Sequence, residues 1–322
     1  MQAITQDSYG SHEALKLADV DKPEVGDDEV LVRVHAASVH LGDWILMTGR
    51  PHLMRMATGL RRPKNRVPGT DVAGTVEAVG KGVKSLRPGD EVFGWCTGAF
   101  AEYARGTEDH FVKKPADLTF EQAAAVGVSA STALQLLRDE GQVQPGQKVL
   151  INGASGGIGT FAVQIAKALG AEVTAVVSTR NVELVRSIGA DHVIDYTTSD
   201  FTAAGTRYDV ILDNVSNHSL SRLRRVLTAT GVLIPNGGNF GNRWFSSAGR
   251  LVRGTILFKF GGQKLGNFLV SMNHADLVAL TALIEAGKVT PVLDRTYPLS
   301  GAAQAIDRVG TGHAQGKVAI TV

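Results

Sequence analysis

The sequence predicts an α/β protein in which a β-rich region precedes a doubly wound parallel sheet. Short strands separated by turns fill about the first 120 residues, and strands alternate with helices from Lys148 onward. A glycine-rich loop, Asn152–Gly159, joins one of those strands to a helix. Strand–helix alternation of this kind builds a parallel sheet covered by helices on both faces.

The β-rich region is marked by apolar residues that alternate with polar ones. Glu29–His35 and Asp71–Val79 alternate in the way half-buried strands do. Leu86–Gly94 contains a Pro-Gly-Asp turn that leads into another strand. Short strands at this spacing favour a compact β-barrel.

The later region begins with a helix whose start is marked by Thr119 and Gln122, the two residues of a capping box. This helical region is expected to run to about Gly141. The elements expected after it are strands at Lys148–Asn152, Glu172–Ser178, His192–Tyr196, Asp209–Val215 and Gly231–Pro235, then helices at Asp276–Ala286 and Ala302–Val309 and strands near Thr296 and at Val318–Val322.

The glycine-rich loop Asn152–Gly159 indicates a dinucleotide site rather than an ordinary turn. Glycines let the backbone turn sharply and approach a pyrophosphate, and the N–H groups of the following helix then face the phosphates. The next strand ends in Ser178 and Arg180, and Val177–Asn181 contains no carboxylate that would repel a 2′-phosphate. These residues favour NADPH over NADH; the alternative is that Arg180 is only a surface charge.

Composition limits the classes of protein that remain. The net charge of the 322 residues is +2, which does not indicate nucleic acid as a partner, and Cys96 is the single cysteine. One cysteine excludes a disulfide framework within the chain and a multi-cysteine zinc site. Met1–Gly10 lacks the apolar core of a signal peptide, and no uncharged apolar stretch has the length of a membrane span. We therefore expect a cytoplasmic protein.

Short-chain dehydrogenases can have a similar glycine loop, but they use a Tyr-x-x-x-Lys pair. None of the five tyrosines of this chain has Lys four residues later, and about 120 residues precede the loop. The chain instead resembles the medium-chain dehydrogenase/reductase superfamily in its zinc-free quinone oxidoreductase (zeta-crystallin-like) branch. The motifs that carry the resemblance are Val67–Gly74, Gly80-x-Gly82 with Arg87–Val92, Asn152–Gly159, Gly189-Ala190-Asp191, Gly287-Lys288-Val289 and Gly316-Lys317-Val318.

The run Arg180–Glu183 before Gly189 is similar to chloroplast-envelope quinone oxidoreductase homologues and to alkenal/one reductases. The resemblance implies a GroES-like β-barrel catalytic domain formed by residues 1–122 and 273–322. It also implies a Rossmann NADPH-binding domain formed by residues 123–272, and a homodimer.

Zinc alcohol dehydrogenases of this superfamily have a catalytic Cys and a Gly-His-Glu motif. By resemblance, those places hold His40 and Gly69-Thr70-Asp71 here, and the structural four-cysteine lobe is absent. Threonine is a poor zinc ligand. We therefore expect no metal.

Three candidate catalytic residues follow from the resemblance. His40 stands where quinone oxidoreductases usually have Asn, in a segment that the family places over the nicotinamide. It either donates a proton or hydrogen bond to a substrate carbonyl or simply satisfies backbone groups. Asp43 is interpreted as a structural partner for the loop, with a role as an acid as the alternative. Trp44 is interpreted as a packing residue, with an aromatic wall for a flat substrate as the alternative.

Further cofactor contacts are implied by family position and by the carboxyl ends of the strands, where such sheets bind ligands. The residues expected to contact NADPH are Thr132, Ser155, Gly156, Gly157, Ile158, Ser178, Arg180, Tyr196, Asn214, Val215, Asn236, Gly237, Leu269 and Lys317.

The expected reaction is hydride transfer to a small electrophile, namely a quinone, an enone or an enal. The alternatives are a non-catalytic NADPH-binding redox sensor or partner-binding protein and, from the basic stretch Asn214–Ala275, a single-stranded nucleic-acid binder. Within that stretch, Arg243–Phe260 mixes basic and large apolar residues. We interpret it as a helix at a cleft or dimer interface, with weak contact to a membrane surface as the alternative.

Overall fold

The computed structural model describes residues 1–237, 248–259, 261–267 and 270–322. The chain forms two compact units. Unit 1 consists of Met1–Ser131, Met272–Ala286 and Pro291–Val322, and unit 2 consists of Thr132–Ser271 and Gly287–Thr290.

The elements follow the order that the alternation predicts. The strands are β1 (Gln2–Gln6), β2 (Leu15–Asp19), β3 (Glu29–Val39), β4 (Asp71–Val79), β5 (Glu91–Trp95), β6 (Tyr103–Thr107), β7 (Phe111–Lys113), β8 (Lys148–Asn152), β9 (Glu172–Val177), β10 (His192–Asp195), β11 (Tyr208–Asp213), β12 (Leu227–Pro235), β13 (Lys264–Leu265), β14 (Leu293–Pro298) and β15 (Lys317–Thr321). The helices are α1 (Leu41–Thr48), α2 (Arg55–Thr58), α3 (Phe120–Ala124), α4 (Gly127–Gln135), α5 (Gly157–Ala168), α6 (Val182–Ser187), α7 (Leu220–Arg225), α8 (Ala248–Leu257), α9 (His274–Glu285) and α10 (Ala302–Gly310).

Unit 1 is organised around the long strand β3. The seven-stranded sheet has the order β14-β15-β3-β4-β5-β7, and β6 also pairs with β3. All neighbours of β3 run antiparallel to it, and the last of these strands, β15, comes from the far end of the chain. The core of unit 1 contains apolar side chains of these strands and of α10, among them Val32, Val92, Ile306 and Ile320.

Unit 2 is the predicted doubly wound parallel sheet. Its six described strands have the order β10-β9-β8-β11-β12-β13, and every neighbouring pair is parallel. The chain moves outward from β8 to β10 and then returns to the other side of β8 with β11. The order therefore reverses between β8 and β11, which is where open α/β sheets bind ligands. Asn152 and Asp213 are paired at the ends of these two strands, so the glycine-rich loop emerges at that point.

The strands of unit 2 are apolar because helices cover both faces of the sheet. Val149, Leu150, Ile151 and Ile211 are completely buried, and burial of each such side chain stabilises the fold by about 1.5–3 kcal/mol. The predicted strands are confirmed, except that β12 begins at Leu227 rather than at Gly231 and β11 ends at Asp213 rather than at Val215.

Two sequence predictions fall partly or wholly outside the described residues. Leu269 is outside them, as are residues 243–247 and Phe260 of the predicted Arg243–Phe260 segment. In the described part of that segment, Phe258 is buried in the core and Ile256 is exposed. No helix among the described residues is long and apolar enough to traverse a lipid bilayer.

Candidate functional site

The glycine-rich loop leaves β8 in a backbone geometry that requires glycine. Gly153 has a φ of +80°, a conformation that residues with a side chain rarely adopt. A Cβ on Gly159 would lie 2.2 Å from the Gly153 carbonyl oxygen, so a larger residue could not be accommodated there without displacing the loop. Gly156 is the N-cap of α5 and leaves the first N–H groups of that helix pointing out of the loop. Helix N–H groups presented in this way suit an anion such as a pyrophosphate.

The end of β9 is tied to this loop by a buried asparagine that was not assigned a role from the sequence. Asn181 Nδ2 donates to Ser155 Oγ at 2.8 Å and to Ser178 Oγ at 3.3 Å. Only 5% of Asn181 is exposed, whereas Arg180 beside it lies at the surface. Ser155 and Ser178, predicted from different parts of the sequence, are therefore brought together through one side chain.

A carboxylate near the end of β9 was also missed because it belongs to the neighbouring strand. Thr179 Oγ1 donates to Asp195 Oδ2 at 2.6 Å, and Thr197 Oγ1 donates to Asp195 Oδ1 at 2.7 Å. These hydrogen bonds, that of Thr179 first, lower the pKa of Asp195. The threonine hydroxyls thus occupy both oxygens of the carboxylate.

The ends of β11 and β12 form a polar network at the same edge of the sheet. Asp213 is fully buried and accepts a hydrogen bond from Asn152 Nδ2 at 2.8 Å. Asn214 Oδ1 accepts from Asn236 Nδ2 at 2.7 Å, and a Cβ on Gly237 would lie 2.6 Å from the Asn214 backbone. Asn214 Nδ2 is buried, and no described residue accepts its hydrogens. A buried donor of this kind fits a bound ligand at the predicted place.

A cavity of about 350 Å³ lies beside this network and includes Tyr196, whose side chain is 55% exposed. Val215, another predicted contact, is exposed as well. The lining of the cavity is Val176, Tyr196, Thr198, Ser199, Asp200, Phe201, Asn217 and His218. Its position at the carboxyl ends of the strands suits the adenosine side of a dinucleotide.

In unit 1, His40 and Asp43 form the capping box of α1. His40 Nδ1 accepts the Gly42 N–H at 2.9 Å, and Asp43 Oδ2 accepts the His40 N–H at 2.9 Å. This is the structural role that the sequence left open for both residues. Burial raises the pKa of Asp43, although nearby His40 opposes that shift.

The same pair leaves two polar atoms unsatisfied. His40 Nε2 is 3.6 Å from Asp43 Oδ2, beyond hydrogen-bond distance. His40 Nε2 and Asp43 Oδ1 are both buried, and neither has a hydrogen-bond partner among the described residues. Such atoms cost about 1–3 kcal/mol each, so they mark a place where water or a ligand is expected.

Trp44 packs against the core of unit 1. A Cβ on Gly310 of α10 would lie 2.3 Å from the indole ring, so the two helices meet closely at this glycine. The ring also contacts the apolar cluster of the unit. This contact gives Trp44 the packing role, and the aromatic wall stays a prediction.

Lys317 is held in a buried ion pair. Its ammonium, in a side chain that is 1% exposed, lies 3.0 Å from Asp71 Oδ2 and 3.0 Å from Ser129 Oγ. Asp71 also accepts from Ser38 Oγ at 2.8 Å and from the Val128 N–H at 2.7 Å. The predicted cofactor contact of Lys317 stays a prediction, because the described partners give it a structural role.

Asp71, which the resemblance aligns with the Glu of the Gly-His-Glu motif, is thus paired with a lysine. Thr132, predicted to reach the nicotinamide, is buried in α4. Among the described residues there is no group of three or more His, Cys, Asp or Glu side chains that could hold a metal ion.

Comparison with known proteins gives two family matches. Residues 26–116 match the alcohol dehydrogenase GroES-like domain, and residues 188–320 match the zinc-binding dehydrogenase family. The chain is 33% identical to the chloroplast envelope quinone oxidoreductase homolog of Arabidopsis thaliana, over 99% of this chain and 98% of that one. It is 32% identical to the chloroplastic NADPH-dependent alkenal/one oxidoreductase of the same plant, over 99% and 79%.

Solved structures of quinone oxidoreductases superpose on the whole of this chain. The quinone oxidoreductase from Coxiella burnetii superposes with a TM-score of 0.86 at 29% identity, covering 100% of this chain and 99% of that one. The quinone oxidoreductase of Escherichia coli complexed with NADPH superposes with a TM-score of 0.84, covering all of both chains. At 24% identity, that second likeness concerns the fold alone.

Proposed function

Because the chain belongs to the quinone oxidoreductase branch of the medium-chain dehydrogenase/reductase superfamily, we propose that it is an NADPH-dependent, zinc-free oxidoreductase that reduces quinones or the double bond of α,β-unsaturated ketones and aldehydes. The family comprises NAD(P)H-dependent quinone and alkenal oxidoreductases. The observation that carries the proposal is the glycine-rich loop at the point where the strand order reverses, with a buried Asn214 Nδ2 beside it for which no described residue is an acceptor.

The residues of unit 2 fit NADPH in three places. The first N–H groups of α5 and the Ser155 hydroxyl hold the pyrophosphate. Ser178 and Arg180 at the end of β9 bind the 2′-phosphate, because guanidinium and hydroxyl groups both donate to phosphate oxygens. Asn214 Nδ2 donates to the cofactor at the end of β11, which removes the cost of leaving it unpaired.

A bound nicotinamide supplies the hydride, so the chain has to stabilise the negative charge that develops on the substrate oxygen. His40 is suited to this task. Its Nδ1 accepts the Gly42 N–H, so a neutral ring carries its proton on Nε2, the nitrogen without a described partner. That N–H donates a hydrogen bond to the substrate oxygen as negative charge develops there, and the proton that completes the reduction comes from water.

The test is to follow the absorbance of NADPH with a naphthoquinone, a short enone, a medium-chain enal and a simple ketone, each with and without a chelator. We expect turnover of a quinone or an unsaturated carbonyl compound that the chelator does not change. Turnover of the simple ketone alone, abolished by the chelator, would contradict the proposal. Binding of NADPH without reduction of any acceptor would instead favour the non-catalytic sensor.

The role of His40 is tested separately with two variants. His40→Asn retains a hydrogen-bond donor and acceptor, whereas His40→Leu removes both. If the His40 N–H stabilises the charge on the substrate oxygen, kcat falls by about a hundredfold or more in His40→Leu and by less in His40→Asn, which keeps an N–H donor. If the ring acts only as the cap of α1, kcat is unchanged in both variants, and the free energy of unfolding falls by about 1 kcal/mol in His40→Leu alone, because Asn is itself a good N-cap.

A further inference from the structure

Asn181 lies between the two hydroxyl groups that the proposed function assigns to phosphates. Its Nδ2 donates to Ser155 Oγ in the glycine-rich loop and to Ser178 Oγ at the end of β9. The side chain is buried, and its backbone N–H donates to the Ser178 carbonyl oxygen at 2.8 Å. Hydrogen bonds therefore fix both the side-chain amide and the backbone of Asn181.

Because Asn181 donates both hydrogen bonds, the hydroxyl protons of Ser155 and Ser178 must point away from it. An amide nitrogen has two N–H groups and accepts nothing, so both serine oxygens must act as acceptors toward Asn181. A hydroxyl that accepts from Asn181 keeps its own proton for another acceptor. Ser155 and Ser178 thus have protons available to anions, and a hydrogen bond donated to an anion is about twice as strong as a neutral one.

The two serines serve different parts of a dinucleotide. Ser155 lies in the turn that ends at Gly156, the N-cap of α5, where a pyrophosphate binds. Ser178 follows the last residue of β9, where an NADP-type cofactor places its 2′-phosphate. NADH has the first of these groups and lacks the second.

We infer that Asn181 is a positioning residue that turns the hydroxyl protons of Ser155 and Ser178 toward the pyrophosphate and the 2′-phosphate of NADPH, and so contributes to the preference for NADPH over NADH. The inference rests on the proposed function. Asn181 itself touches neither phosphate in this account. It acts through the two serines.

The decisive variant is Asn181→Asp, which preserves size and reverses the hydrogen bonds. A carboxylate only accepts, so both serine protons turn inward toward position 181. NADPH then loses two charge-assisted hydrogen bonds and NADH loses one, and each loss weakens binding by about tenfold or more. Calorimetric titration in the absence of an acceptor substrate should show the ratio of NADPH to NADH affinity falling by about tenfold.

If the amide had a merely structural role, Asn181→Ala would weaken both cofactors equally, and Asn181→Asp would lower the ratio only because its negative charge repels the 2′-phosphate, an effect that would add to that of Ser178→Ala. Asn181→Ala is the matched control, because it removes the amide without drawing the protons inward. We expect a smaller fall in the ratio for Asn181→Ala than for Asn181→Asp. Equal falls in the two variants would overturn the inference.

A double-mutant cycle with Ser178→Ala adds a second measurement. Ser178→Ala alone should lower the ratio by about tenfold, and adding it to Asn181→Asp should lower it no further, because the same donor is already lost. Additive effects would overturn the inference. If Asn181→Asp fails to fold, Asn181→Ala replaces it in the cycle. Fully additive effects of Asn181→Ala and Ser178→Ala on the ratio of NADPH to NADH affinity would then overturn the inference.

The wild-type titration separates this inference from the proposed function. A wild-type protein that binds neither cofactor, or that prefers NADH, contradicts the proposed function. A wild-type protein that prefers NADPH while Asn181→Asp leaves its preference intact contradicts only the role of Asn181.

Discussion

Replacing Lys317 with methionine should destabilise unit 1 more than the loss of an ordinary contact would. Methionine has nearly the same length as lysine and no charge, so the variant leaves the Asp71 carboxylate buried without its cation. Among the described residues, Asp71 would retain the hydroxyl of Ser38 and the N–H of Val128 as donors. At 3.0 Å, the attraction between the two charges is about 5.5 kcal/mol for an effective dielectric constant of about 20. Measured losses on breaking buried pairs are about 3–5 kcal/mol, and we expect Lys317→Met to fall in that range.

The assay is urea unfolding followed by tryptophan fluorescence, with Lys317→Met, Asp71→Asn and the double variant. The double variant should be more stable than the sum of the single losses predicts by about 2 kcal/mol, because no unpaired charge remains. The control is Lys22→Met, which breaks an exposed ion pair with Glu77 of 2.8 Å and should leave the free energy of unfolding nearly unchanged, because water screens the two charges. Purely additive losses, or a loss for Lys317→Met no larger than for Lys22→Met, would refute the reasoning.

Three further predictions concern single residues. Gly159→Ala should abolish NADPH binding in a calorimetric titration, because its Cβ would lie 2.2 Å from the Gly153 carbonyl oxygen. The control Gly156→Ala should still bind NADPH, because its Cβ would lie 3.6 Å from the same oxygen. Burial raises the pKa of Asp43 above 3.8, so between the unfolded and the folded pKa the folded chain binds more protons than the unfolded chain. The contribution of this carboxyl group to the free energy of unfolding should therefore decrease as the pH rises from 3.8 through the folded pKa. Asp43→Asn should remove that part of the pH dependence in urea titrations, and an unchanged profile would show that the carboxyl group is not its source. Burial raises the pKa of Cys96 to about 12, so its thiol should react with a disulfide reagent in urea but not in native buffer, and rapid labelling of the folded protein would contradict this.

Features fixed by local sequence could be predicted, and features fixed by distant partners could not. The glycine-rich loop, the Thr119 capping box and the strand–helix alternation each depend on neighbouring residues, and all are present in the structure. The partner of Lys317 lies 246 residues away in the sequence, so no spacing rule could identify Asp71. Asn181 belongs to the run Arg180–Glu183 that carries part of the family resemblance, but only the fold shows that its amide reaches Ser155.

Several expectations stay predictions. These are the homodimer, the cytoplasmic location, the boundaries of the two domains and a weak contact of Arg243–Phe260 with a membrane surface. Relatives carry chloroplastic and mitochondrial names, so fractionation of cells is the direct measurement for the location. Analytical ultracentrifugation measures the oligomeric state.

The position of β15 has a consequence for synthesis on the ribosome. Its residues Lys317–Thr321 lie between β14 and β3 in the sheet of unit 1, yet every residue of unit 2 is translated before them. Unit 2 can therefore fold while β3 still has an open edge, and an open edge invites pairing with other nascent chains. A premature stop codon before Lys317 would leave that edge open permanently, so loss of β15 should produce aggregation rather than a slightly less stable protein.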